Sequence, residues 1–323
     1  MATLTSKYSL VEQAKRIDPD GKLATIVEVL NRETGLVLQE APWIASNDVW
    51  VNKTVRRGTL PSSGRRKLNS GVTKGVSRTT EIMDVIQMRG IYAEYDKAWI
   101  DSFPEPATVR MQEASAFIEG LSQDLIGDFL YCNALVDADG MHGLAARMSV
   151  LDGEFVIGGS GTGSDVTSVY VVTWGPTEAH FIYPKNMTNL GITHQDLGEV
   201  TLLDADSNQY QGYRDYFQVN CGLVVRNPRC IGRYANIESA GASNIFDEDK
   251  LITLLNNMKT GPTTRIYCNQ TIKTQAEIAL KDKTNVNWTV KDGLGGVPFL
   301  SFRGIPVRMI DKAMLLNTES AIS

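Results

Sequence analysis

The sequence predicts an α+β chain, and three observations predict it. A long apolar stripe at three- and four-residue steps begins near Ala107, strand-like segments follow from Val166, and two amphipathic helices interrupt those strands after Asp247 and from Thr271. At 323 residues, 42% apolar and 21% charged, the chain can bury a full core as one large domain or two closely associated ones. No run approaches the ~18 apolar residues of a membrane span. The N-terminus, MATLTSKYSLVEQAKR, lacks the apolar block of a secretory signal. The four cysteines, at 132, 221, 230 and 268, read as buried thiols of a protein assembled in a reducing cytoplasm, not as a disulfide framework.

From the N-terminus, Ser9–Ala14 reads as a short helix broken by Asp18-Pro19-Asp20-Gly21, and Leu23, Ile26, Val27 and Leu30 lie at helical spacing before Gly35. Pro42-Trp43-Ile44 leads into the most unusual stretch, Asn52–Arg78. It holds eight cations (Lys53, Arg56, Arg57, Arg65, Arg66, Lys67, Lys74, Arg78), no carboxylate and no aromatic. The net charge of −5 therefore divides into +8 here and −13 elsewhere. Pro61-Ser62-Ser63-Gly64 marks a turn, with Val49–Val55 and Val72–Val76 as flanking strands. Arms of about 13 residues would reach roughly 40 Å. With too few apolar residues for a core of its own, the arm must lie on something acidic: nucleic acid, the chain's own body, or another subunit.

Thr79–Tyr95 alternates loosely and fits strand or helix. Pro104 and Pro106 then open the long helix, where a missing N–H costs little. Met111, Ala114, Ile118, Leu121, Leu125, Phe129 and Cys132 form its stripe, over about 30 residues or roughly 45 Å. Its outer face is acidic: Glu105, Glu113, Glu119, Asp124 and Asp128 against Arg110. A core helix is the ordinary reading, but length and acidity beside a basic arm favour a docking platform. After Asp137-Ala138-Asp139-Gly140 comes a small helix with Leu144 and Met148. Strands are expected at Val166–Trp174, Phe181–Tyr183, Glu199–Leu203, Tyr213–Val225 and Cys230–Ile237. Asp247 opens a helix with Leu251, Leu254, Leu255 and Met258 on one face. Arg265–Cys268 is a strand, Asn269 caps the helix Thr271–Leu280, and strands return at Asn287–Val290, Pro298–Phe302 and Gly304–Ile310. Pro306 puts the last strand at a sheet edge or at its own first position.

Motifs for chemistry are missing. The run Gly158–Gly163 is followed by no Lys-Ser/Thr and by a strand, so it reads as a flexible hairpin or loop and not as a phosphate cradle. His142, His180 and His194 are isolated, and Cys221 and Cys230 are too far apart for short Cys-x-x-Cys ligand spacing. No Gly-x-Ser-x-Gly elbow occurs, and Asp204-Ala205-Asp206 lacks the rest of a calcium loop. No catalytic residue, metal ligand or cofactor is expected.

Several stretches carry a resemblance: Leu10-Val11-Glu12-Gln13-Ala14-Lys15-Arg16, Asp18-Pro19-Asp20-Gly21-Lys22, Val27-Glu28-Val29-Leu30, Pro42-Trp43, Thr59-Leu60-Pro61, Arg66-Lys67-Leu68-Asn69-Ser70-Gly71-Val72 and Tyr95-Asp96-Lys97. The chain resembles the major capsid proteins of tailed phages of the epsilon 15 group, specifically over its first third and in element order beyond. The resemblance implies the Hong Kong 97-type capsid fold. On that pattern residues 1–45 are the N-terminal arm, 46–80 the extended E-loop, and 81–150 the P-domain with its spine helix. Residues 151–285 are mainly the A-domain, and 286–323 return to the P-domain. It further implies hexamers and pentamers closing an icosahedral head in the virion, assembled in the host bacterial cytoplasm. The head would enclose double-stranded DNA without sequence-specific binding, with a portal and a decoration or scaffolding protein as further partners. No membrane is involved. The E-loop cations would contact the acidic spine-helix face of a neighbour in trans. No residue pattern identifies the prototype fold's Lys–Asn cross-link, so non-covalent closure is expected. Competing readings are a same-fold nanocompartment shell, a nucleic-acid-binding protein using residues 52–78, and, least favoured, a hydrolase whose site assembles only in space.

Overall fold

Eight consecutive residues, Val166–Thr173, are buried on both faces of their strand, which marks the middle of a sheet covered on both sides. The computed structural model describes residues 36–72, 74–187, 191–204, 206–241, 243–280, 287–292 and 298–323. The helices expected before Gly35 lie outside the described residues. The chain divides into two compact units, one of residues 88–125 and 191–220, the other of residues 36–87, 126–187 and 221–323. The helices are α1 (Val37–Glu40), α2 (Lys97–Ile100), α3 (Pro106–Tyr131), α4 (Leu144–Arg147), α5 (Glu248–Asn257) and α6 (Gln270–Ala279). The strands are β1 (Trp43–Ala45), β2 (Val51–Thr59), β3 (Arg78–Val85), β4 (Gln87–Asp96), β5 (Val156–Gly158), β6 (Val166–Thr173) and β7 (Ala179–Tyr183). They continue with β8 (Ile192–Leu203), β9 (Gln209–Val225), β10 (Ile231–Glu238), β11 (Thr264–Asn269), β12 (Trp288–Asp292), β13 (Pro298–Phe302) and β14 (Ile305–Ile310).

The second unit is built on a seven-stranded sheet of order β12-β13-β14-β11-β6-β10-β5. Its core gathers Val169, Val171, Tyr234 and Ile266 from the sheet with Leu251 and Leu254 of α5, Met258 just after it and Ile272 of α6. Both helices start where their side chains dictate. Asp247 accepts from the Asp249 N–H at 3.0 Å, and Asn269 accepts from the Ile272 N–H at 3.0 Å. Elsewhere in this unit Trp43, Phe129, Trp174 and Phe181 form an aromatic cluster with centroid separations of 5.0–5.9 Å. The C-terminal segment is tied in by a buried ion pair: Arg233 reaches Glu319 at 2.8 Å and Ser168 at 3.0 Å, and Tyr131 donates to the other Glu319 oxygen at 2.5 Å. Every atom of that pair is hydrogen-bonded, which is the condition for tolerating charge in a core.

Three expectations are corrected. Pro306 is neither at an edge nor at a strand's first position: β14 is interior, between β13 and β11, and Pro306 is its second residue, just beyond the Arg303-Gly304 turn. The ring is tolerated because the tight turn from β13 has only begun the ladder there. Thr79–Tyr95 resolves into two strands broken at Ile86. The glycine run, expected to be a flexible hairpin or loop, is a loop held in place by its own backbone. Gly159 and Gly161 donate to the carbonyls of Ala235 and Asn236 at 2.7 and 2.9 Å, and a Cβ at either would meet the Asn236 oxygen at 2.4 or 2.7 Å. Only glycine permits that backbone approach.

Candidate functional site

The basic stretch is a hairpin whose base stays on its unit, with Asn52 and Asp84 buried, and whose far end is exposed. β2 and β3 pair antiparallel from Val51↔Val85 to Arg57↔Thr79, with a bulge before Thr59↔Arg78, and form a two-stranded sheet by themselves. The expected strand Val72–Val76 is absent among its described residues, 72 and 74–76. The described residues 60–72 and 74–77 of the connecting loop belong to no strand, because Pro61 and three glycines (Gly64, Gly71 and Gly75) leave them without a continuous ladder. Its two sides touch at Pro61, 2.7 Å from where a Gly75 Cβ would stand. At its end Ser70 donates to the Lys67 carbonyl at 3.2 Å, Arg66 donates to the Ser70 carbonyl at 3.1 Å, and Asn69 adopts a left-handed φ of 61°.

The eight predicted cations divide by partner. Arg56 turns inward and donates to the carbonyls of Val225 and Arg226. Burial pulls its pKa below the ordinary arginine value, partly offset by Asp84. Lys53 meets Asp48 at 3.5 Å, and Arg66 is spent on its own turn. Arg57, Arg65, Lys67, Lys74 and Arg78 are exposed and make no side-chain hydrogen bond or ion pair among the described residues. Apolar side chains are exposed beside them: Leu68 at 94%, Leu60 at 76% and Val76 at 74%. A bare arm carrying both free cations and free leucines is a surface made to be covered.

The predicted acidic face is broken up. Glu105 is exposed and accepts from Thr108 at 3.1 Å. Glu113 is a correction: it is buried and does not face outward. Glu119 accepts from Gln123 at 2.8 Å, Asp124 pairs with Arg89 at 2.7 Å, and Asp128 accepts from Gln87 at 3.0 Å. The helix stripe is corrected as well. Leu121, Leu125 and Phe129 are buried, but Met111 is 76% exposed, because toward the N-terminus the buried line runs through Val109 and Glu113 instead.

What the sequence reading missed is a polar node in the first unit. Arg110 reaches Asp196 at 2.9 Å and Asp215 at 2.8 Å, and His194 lies 3.1 Å from Asp215 and stacks on Phe217. Burial opposes the Arg110 charge, but the two carboxylates hold its pKa above the ordinary value, and the same contact lowers that of Asp196. The node flanks a groove of about 420 Å³ lined by Ala107, Met111, Ala114, Ile118 and Phe217. Its members lie 86 and 105 residues apart, so no local spacing could show it. Among the described residues no group of three or more metal-ligating side chains occurs, and no helix is long and apolar enough to cross a membrane.

The long helix, the two-stranded hairpin and the seven-stranded sheet together define a shell protein of the Hong Kong 97-like fold. The structure of bacteriophage epsilon15 matches with a TM-score of 0.74 at 25% identity, covering 99% of this chain and 99% of that one. The bacteriophage JBD30 capsid shares the fold, with a TM-score of 0.50 at 11% identity over 90% of this chain and 96% of that one. A family model described as major capsid protein GP7 matches residues 18–323, and the chain belongs to that family. No curated protein matches the sequence. The phage shell is thereby favoured over the nanocompartment, and the protein is a virion component that assembles with copies of itself.

Proposed function

We propose that the chain forms hexamers and pentamers of an icosahedral head, with its E-loop lying over a neighbouring subunit in trans. The observation that carries this is the arm itself: five cations without a partner among the described residues and Leu68 at 94% exposure. Exposed single ion pairs contribute only ~0–1 kcal/mol, but several acting together with buried leucines decide an assembly. On the neighbour, Glu105, just before α3, and Glu119 on it are the carboxylates we assign to Arg65, Lys67, Lys74 and Arg78, while Glu113 is withdrawn, Asp124 is paired with Arg89 and Asp128 is spent on Gln87. The domain division of the family pattern is adopted as a working one: arm 1–45, E-loop 46–80, P-domain 81–150 and 286–323, A-domain 151–285. The head would enclose double-stranded DNA, join a portal, take decoration or scaffolding proteins as separate chains and assemble in the host bacterial cytoplasm. Its role is structural, with no catalytic step. Reversing Arg65, Arg66 and Lys67 to Glu is expected to leave a folded subunit that no longer sediments as shells. Normal particles from that variant, seen by negative-stain microscopy, would refute the trans placement of the loop.

A further inference from the structure

A cleft of about 500 Å³ lies at the root of the β2–β3 hairpin, lined by Lys53, Val55, Arg56 and Arg57 on one side and Arg226 and Pro228 on the other. No carboxylate lines it. Arg56 is already engaged by backbone carbonyls and Lys53 by Asp48, so the unspent charges are Arg57 and Arg226, both exposed and without a side-chain partner among the described residues. Val55, 66% exposed, gives the cleft an aliphatic wall. The chemistry that fits is a pair of carboxylates next to an aliphatic side chain. Phosphates of nucleic acid would satisfy the cations and leave the aliphatic wall wet.

The chain itself carries such a segment. Between α3 and α4, Leu135 and Val136 are 88% and 86% exposed, and Asp137, Ala138 and Asp139 follow, all exposed. The segment is preorganised by its own hydrogen bonds: Asn133 accepts from the Leu135 N–H at 3.0 Å, and the Asp137 N–H reaches the Asn133 carbonyl at 2.9 Å. Asp137 uses one oxygen on the Asp139 N–H at 3.2 Å, and the Asp139 carboxylate has no partner among the described residues. A rigid loop pays little ordering entropy on docking, and two adjoining aliphatic residues left in water favour being covered. We infer that in the assembled shell the Leu135–Asp139 loop of one copy seats in the Arg57/Arg226 cleft of a second copy. This rests on the reading of the chain as a shell subunit, and it gives the root of the hairpin a different partner surface from its tip.

The test is a charge swap scored by sedimentation of shells, with melting curves of the subunits as the folding control. Arg57→Glu with Arg226→Glu, and separately Asp137→Lys with Asp139→Lys, are each expected to lower shell yield roughly tenfold through like-charge contacts. The fourfold variant is expected to recover yield to within about twofold, as coupled partners do in a double-mutant cycle. If neither pair alone lowers the yield, or if the fourfold variant stays unassembled, the pairing is wrong. The tip variant carrying Glu at 65, 66 and 67 reports on the trans E-loop independently, so the two readings fail separately. A cross-link checks the geometry: Asp139→Cys with Arg226→Cys in a Cys132→Ser background should give a ladder of linked subunits from oxidised shells. Assembled shells without that ladder would overturn the inference. So would Arg57→Glu/Arg226→Glu shells that form normally but fail to retain DNA, which would assign the cleft to nucleic acid.

Discussion

At His180 the fold buries an imidazole to 1% exposure on β7, with neither ring nitrogen in hydrogen-bonding geometry with a partner among the described residues. Burial, and then the positive charge of Arg226, lowers its pKa from 6.5 to about 4, while the Gly175 backbone and Asp84 oppose the shift weakly. The unfolded chain takes up this proton near 6.5 and the folded chain only near 4. Between those values the unfolded state binds more protons, so stability falls as pH drops through that window and levels off below it. Over the whole window the loss is on the order of 3 kcal/mol. His180→Leu, which removes a proton acceptor without stranding a partner, is expected to flatten the decline in urea stability of isolated subunits between pH 7 and pH 4.5. His142, whose pKa burial and Arg147 also lower, will leave a residual slope. Identical slopes in variant and parent would show that His180 carries no part of the acid sensitivity. The cysteines were the residue-scale feature most legible beforehand. All four are free thiols, with Cys221, Cys230 and Cys268 buried, and burial pushes Cys230 and Cys268 up to about 12, far from reactivity.

Helix α3 shows what periodicity can and cannot tell. Its existence and its proline start were readable, because an apolar residue every three or four positions across 26 residues has few other solutions. Its phase was readable only in the C-terminal half. There Phe129 is fully buried, 5.9 Å from the Trp174 ring and 5.6 Å from Phe181. In the N-terminal half Met111 and Ile118 look like core residues but line a groove, while Glu113 looks like surface and is buried. Which side of a helix its neighbours cover is decided by distant chain, here the β8–β9 hairpin carrying Asp196 and Asp215. The contrast is measurable. Phe129→Ala is expected to cost about 3–5 kcal/mol, and Met111→Ala to stay within about 0.5 kcal/mol of the parent. Equal losses in thermal or urea unfolding would mean that the helix is phased as the sequence alone suggested. The E-loop followed the same division. Its turn residues and charge run announced an arm, but the second strand begins at Arg78, six residues later than Val72, because a ladder needs alternating partners that residues 60–77 do not supply.

The whole molecule separates charge, with +8 on the arm and −13 on the remainder, and the separation bears on how a shell can hold DNA without gripping it. A polyanion packed against a surface lined with free cations would bind tightly and independently of sequence, which would hinder both filling and release. If the arm's cations are neutralised by a neighbouring subunit, that affinity is present before assembly and gone after it. Isolated subunits are therefore expected to shift duplex DNA weakly. With the five unpartnered cations as phosphate contacts, the slope of log affinity against log salt should be about −4 to −5. Empty shells at the same subunit concentration and salt are expected to show no shift, since the same arginines and lysines are then occupied. Gel-shift titrations on both forms make the comparison. Shells that bind external DNA as strongly as free subunits do would mean that the arm stays bare in the particle, and the trans assignment of the E-loop would fall with that result.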